Sequence, residues 1–162
     1  MKNKFRSYIM IAFAVCTISC DIFNPYYAKN FEDKLKTSIK NQIEKKGKAR
    51  IVIKDLTDFD WDYFFCVSPY SELSRVENIT NIDVSILKKT RIRYRDDINV
   101  LVFIKSDKIT KYIEFPIYFG DFMGLKSENL LFSAKNAIFI VEPKTVILWG
   151  KPYKNLIVRE ED

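Results

Sequence analysis

Histidine is absent from this 162-residue chain. Its absence excludes Ser-His-Asp and Cys-His nucleophile arrangements and any imidazole-ligated zinc site. Glycine and proline are scarce, at 4 and 5 residues, leaving little material for long flexible linkers. Neither a G-x-G-x-x-G nor a G-x-x-x-x-G-K-[ST] phosphate loop occurs. No apolar run reaches the roughly 20 residues that a membrane-spanning helix needs. The excess of 27 basic over 21 acidic residues, formally +6, is too small to point to nucleic acid. What is abundant is apolar: 48% hydrophobic and 15% aromatic residues, enough to build a core and too much for a disordered chain.

The first residues have the layout of a secretory signal. MKNKFR is a basic n-region, Tyr8 to Ile18 an apolar h-region, and Ser19 a small residue before Cys20. Thr17-Ile18-Ser19-Cys20 resembles the bacterial lipobox, in which a small residue precedes a cysteine that receives diacylglycerol before cleavage. Ser19 fits that pattern, while Thr17 stands where the family favours Leu. The resemblance implies lipidation at Cys20 (the palmitate-type acylation of bacterial lipoproteins). Ordinary cleavage near the same place and an uncleaved anchor are the alternatives. Losing the leader removes Lys2, Lys4 and Arg6 and no acid, so the surplus of positive charge shrinks by three. Cys16 would leave with it and Cys20 would be acylated. Cys66, in the apolar run Tyr63 to Val67, is then a lone thiol expected to serve as a small buried hydrophobe.

The expected organisation is a signal peptide over 1–19, a tether over 20–28, one domain over 29–155 and a fraying acidic tail over 156–162. Phe31, Leu35, Ile39 and Ile43 recur every fourth residue and predict an amphipathic helix from about Lys29 to Lys46, closed by Gly47. Strands follow. Tyr63 to Val67 reads as a strand covered on both faces, ended by Ser68-Pro69-Tyr70, with Ser71 as N-cap of a short helix over 72–78. Arg91-Ile92-Arg93-Tyr94-Arg95 alternates strictly and reads as a strand with one basic face. Asn99 to Lys105 and Ile109 to Phe115 flank a short polar turn and form the clearest hairpin. Ala137 to Glu142 and Thr145 to Trp149 bracket Pro143-Lys144 as a second. The fold class is α+β: an antiparallel sheet of about five to seven strands with one long amphipathic helix packed on it.

The most conspicuous local feature is Asp58-Phe59-Asp60-Trp61-Asp62. Its alternating acids have the spacing that opens a calcium loop, but the sixth position is Tyr63 instead of glycine and the twelfth is Pro69 instead of Glu. The expected role is a surface turn whose aromatics tuck into the core, with Arg91, Arg93 and Arg95 as a complementary basic strand. Asp60, Trp61, Asp62, Arg91, Arg93 and Arg95 are the candidate partner-binding residues. No catalytic residue, cofactor or metal is assigned.

The segment Phe59-Asp60-Trp61-Asp62, followed by Ser68-Pro69-Tyr70 and the strand Val100-Leu101-Val102-Phe103, resembles a group of small bacterial lipoproteins. In these a Trp-Asp pair leads into a buried strand ending at Pro-Tyr. The resemblance covers residues 50 to 145 and implies an envelope location and a compact α+β domain, with no activity. The functional expectation is a lipid-anchored envelope lipoprotein facing the periplasm or exterior. It would be a non-enzymatic module for a protein partner, such as an inhibitor, immunity factor or assembly partner. A carboxylate-dependent envelope hydrolase is the alternative, requiring two acids facing each other across a cleft about 5 to 9.5 Å apart.

Overall fold

The four-residue apolar period of the helix beginning at Lys29 places Phe31, Leu35 and Ile39 in the core. A computed structural model of the chain, describing residues 24–125, 131–148 and 150–161, shows all three fully buried. This helix, α1 (Lys29–Lys46), ends as its sequence indicates. Gly47 takes the left-handed conformation at φ 72° and its N–H returns to the Ile43 carbonyl. The chain continues through β1 (Ala49–Val52), a single turn α2 (Ile53–Leu56), β2 (Tyr63–Val67) and α3 (Leu73–Thr80). Then come β3 (Ile98–Lys105), β4 (Lys108–Pro116), β5 (Phe132–Ser133), β6 (Ile138–Leu148) and β7 (Lys151–Glu160).

The α+β class holds, with the seven strands divided between two antiparallel sheets rather than joined in one. Their orders are β4-β3-β2-β5 and β1-β6-β7. One core lies between α1, the three-stranded sheet and one face of the four-stranded sheet, around Phe31, Phe64, Phe103, Phe115 and Phe139. A second lies on the opposite face of the four-stranded sheet, where Val100, Val102 and Ile104 meet Leu73, Leu87 and Ile92. Coverage on both faces explains why β3 is apolar without alternation. The β3–β4 hairpin turns at Ser106 and Asp107, both at positive φ (50° and 59°), the backbone of a type I′ turn.

Four expectations along the chain are corrected. Residues 24–28, the end of the expected tether, belong to the folded unit: the Tyr112 N–H donates to the Tyr26 carbonyl at 2.8 Å and the Ala28 N–H to the Tyr112 carbonyl at 3.0 Å, docking the segment on β4. The supposed second hairpin around Pro143 is one continuous strand, β6, paired with β7 from Phe139↔Glu160 to Leu148↔Lys151. Residues 156–160 therefore belong to β7 and do not fray, with Val158 in the core. The short helix near Ser71 is present, but it begins at Leu73 with Glu72 as N-cap and no side-chain cap.

Glu32 fastens the docked segment to α1. Its buried carboxylate accepts from the Tyr27 hydroxyl at 2.9 Å, from the Lys36 ammonium and from Lys29 at 3.3 Å. Burial pushes this carboxyl up, but the bonds from Lys36 and Tyr27 outweigh it and hold it below the usual carboxylate range. A lowered folded-state pKa gives stability that is complete above the unfolded value, about 4.3, and is lost as pH falls through the folded one. Glu32→Gln is expected to cost about 1–3 kcal/mol at pH 7. In urea titrations the gap between wild type and variant should close below about pH 4; a gap independent of pH would contradict this role.

Asn99 on β3 shares a face with Leu101 and Phe103, is fully buried, and neither its amide nitrogen nor its oxygen has a hydrogen-bond partner among the described residues. Leaving such groups unpaired costs about 1–3 kcal/mol. Asn99→Leu, nearly isosteric, is therefore expected to raise stability by a similar amount in urea unfolding. A destabilised variant would contradict it.

Candidate recognition surface

The Asp58 to Asp62 segment is held from inside. Trp61 is only 7% exposed and donates its indole N–H to the Thr57 hydroxyl at 3.0 Å. Phe59 packs edge-on against Phe31 and Phe103. The acids are each engaged separately. Asp58 accepts from the Asn30 amide at 2.8 Å, Asp60 meets Lys105 at 2.9 Å, and Asp62 accepts from the Ser106 N–H at 2.8 Å. Asp60 and Asp62 thus brace the β3–β4 turn, and the Lys105 bond holds the Asp60 carboxyl below its ordinary range. Among the described residues no group of three metal-ligating side chains converges anywhere.

The arginines do not face these acids. Residues 91–95 form a turn, not a strand, with Ile92 buried while Arg91, Arg93 and Tyr94 stay in solvent. Arg91 meets Glu114 at 2.7 Å, Arg95 pairs with Asp97, and Arg93 lines an open pocket with Lys88, Glu72 and Tyr70. The two groups lie toward opposite ends of β3, because Asp60 and Asp62 reach its last residue and turn, whereas Arg95 pairs just ahead of its first. The expected neutralisation of one by the other is overturned. Trp61, being buried, is unsuited to a partner contact.

Cys66 is half-buried and without a disulfide among the described residues. Its surroundings push the thiol up from the ordinary cysteine range, by desolvation and by the Asp121 carboxylate. Cys20 and residues 1–19 lie outside the described residues.

The surface that patterning did not reveal is the outer half of the β6–β7 hairpin. β1 covers β6 only from Ile138 to Val141, where Ala49 pairs with Val141. Beyond that, among the described residues, β6 pairs only with β7, while β7 is also held by Asp121 at Leu156 and Val158, and the two strands extend about 20 Å as a two-stranded arm. Pro143, Lys144, Thr145, Ile147, Pro152, Tyr153 and Lys154 are all exposed, Ile147 at 67% and Tyr153 at 52%. Beside the arm runs an open groove of about 880 Å³ lined by Ile117, Tyr118, Val146, Pro152 and Tyr153, with Asp96 and Asp97 also on its wall. From Pro143 to Val158 there is no acid, and three lysines stand at 144, 151 and 154. That acid-free stretch was the readable sign of the arm.

Direction follows from register. β1 packs on α1 and runs back along it, and β6 is antiparallel to β1, so the arm points the way α1 does. It begins level with the helix's C-terminal end, about 27 Å along α1 from the docked residues 24–28. No described helix is long and apolar enough to cross a membrane. No protein-family model, no curated protein and no solved structure matches the chain.

Proposed function

We propose that this chain is a non-enzymatic protein-recognition module of the bacterial envelope, tethered to a membrane through an acylated Cys20 and presenting the β6–β7 arm to a protein partner. The observation that carries this reading is the arm itself. A hairpin that runs past β1, exposes Ile147 and Tyr153 and, among its described side chains from Pro143 to Lys154, adds none to either core needs a partner to bury it. Its position supports the tether reading, since it lies a helix length from the end where the N-terminal segment docks. The hydrolase reading finds less support. Of the three acids on the groove wall, Asp96, Asp97 and Asp121, Asp97 is tied to Arg95 and Asp121 accepts from the Met123 N–H at 2.9 Å. The test is native electrophoresis of membranes solubilised in mild detergent. Wild type is expected in a discrete complex larger than the monomer, and the double variant Ile147→Glu, Tyr153→Glu at the monomer position with unchanged melting temperature. Identical migration of the two would overturn the assignment to the arm.

A further inference from the structure

The arm has two edges, and the hydrogen bonds at its base say which backbone groups face each. The Ala137 carbonyl accepts from the Ile53 N–H on the β1 side, while the Ile138 carbonyl accepts from the Glu161 N–H on the β7 side. Because strand groups alternate, odd-numbered residues of β6 address the β1 side. Residues 139 and 141 are matched there by β1, and 143, 145 and 147 have no strand beside them among the described residues. On β7 the even residues face outward, where Leu156 and Val158 are taken by Asp121. Pro143 and Pro152 therefore both turn their nitrogens, which carry no hydrogen, to an outer edge, where a missing donor breaks no ladder within the chain. The longer free edge is that of β6. It offers the N–H and C=O of Thr145 and Ile147 and the C=O of Pro143.

This edge lies in a basic setting. Lys45, Lys46 and Lys48 are exposed at the end of α1, next to Ala49 and hence next to the point where the edge becomes free. Lys144, Lys151 and Lys154 continue the charge along the arm, Lys151 on the groove wall that also carries Asp96, Asp97 and Asp121. The flanking acid Glu142 is held by Arg159 at 3.2 Å. A second copy docking edge to edge would set these lysines against their own kind, as lysine and proline on exposed edges generally do. An acidic chain would be attracted.

We infer that the free edge of β6, from Pro143 to Ile147, receives an acidic extended segment of a partner protein as an added strand, pairing with Thr145 and Ile147. The inference rests on the reading of the arm as a recognition surface and names its partner's chemistry. Main-chain bonds at Thr145 and Ile147 supply the register, the lysines select charge, and alternate apolar side chains of the segment lie against Ile147 on one face or Val146 on the other.

The probe is a blocked seven-residue peptide alternating glutamate and valine, titrated into the full-length chain in mild detergent and followed by backbone amide resonances. Its lysine–valine counterpart is the control. The glutamate peptide is expected to shift and protect the Thr145 and Ile147 amides and to weaken as salt rises through the range that screens exposed charge. Thr145→Pro is the decisive variant: that N–H donates to no described strand, so the melting temperature should hold while affinity falls at least about tenfold. Equal binding of the lysine peptide, unchanged affinity in Thr145→Pro, or no binding at about 1 mM peptide would overturn the inference. Protection of the same amides by bicelles one-quarter phosphatidylglycerol, without peptide, would assign the arm to lipid and overturn it as well. A protein that carries lipid and forms its native complex yet ignores the peptide would remove this inference alone. Peptide binding by a chain that carries no lipid would remove only the tether.

Discussion

Phe103→Ala is expected to cost about 3–5 kcal/mol, at the upper end for a single core truncation. Phe103 is fully buried on β3, and its ring centroid lies 5.0 Å from those of Phe31 and Phe59 and 5.4 Å from those of Trp61 and Phe64. It is a side chain at which α1, the Asp58 to Asp62 segment and the four-stranded sheet all meet. Truncation leaves a cavity that the surrounding rings, each held by other neighbours, close only in part. Urea unfolding followed by far-UV circular dichroism gives the value directly. A loss under about 1 kcal/mol would mean that these elements do not share one packed core.

Cys20→Ser is expected to abolish fatty-acid incorporation altogether. One acyl chain gives only marginal membrane binding, whereas the chains of a diacylglyceryl group, at about 0.8 kcal/mol for each buried CH₂, hold a protein for its lifetime. Wild type should take up labelled fatty acid and stay with membranes in high salt, which screens lysine attraction to anionic lipid and leaves acyl burial intact. The variant should take up no label. Because an unprocessed leader can itself hold the variant on the membrane, the label is the cleaner readout than fractionation. A wild-type protein without lipid that washes off in salt would return the chain to a plain secreted domain.

The parts of the fold that were legible in the sequence are those whose cause is local. The helix from Lys29 carries its own period and its own stop at Gly47, and the β3–β4 hairpin carries two apolar runs around a polar turn. Cys66 sits where its apolar run puts it, though half-buried rather than sealed. The misread parts depend on neighbours distant in sequence. Pro143 signals a turn only if its missing N–H would break a ladder. That depends on β1 stopping at Ala49, ninety-odd residues earlier, so that the proline faces an empty edge. The alternation of Arg91 to Arg95 matched a strand because one buried residue, Ile92, is enough to set a polar-apolar-polar pattern, and a turn provides that equally well. Residues 156–160 looked like a tail because of the acids at their end, yet Leu156 and Val158 alternate and β6 was long enough to pair with them. Asp60, Trp61 and Asp62 stood out as a surface because acids and aromatics alternate there. The aromatics went inward to Phe103 and two of the acids to the β3–β4 turn, while the exposed β6–β7 hairpin is marked in the sequence only by an absence of acids.

The central claim, that the arm is the face this domain presents to another protein, is tested most directly in intact cells by placing a photoreactive residue at Tyr153 on the arm or at Tyr63 on β2. Tyr63 is 43% exposed, close to the 52% of Tyr153, so accessibility alone does not separate them. The expected result is a discrete crosslinked species of fixed mass from position 153 and none from position 63. No adduct from 153, or the same adducts from both positions, would contradict it.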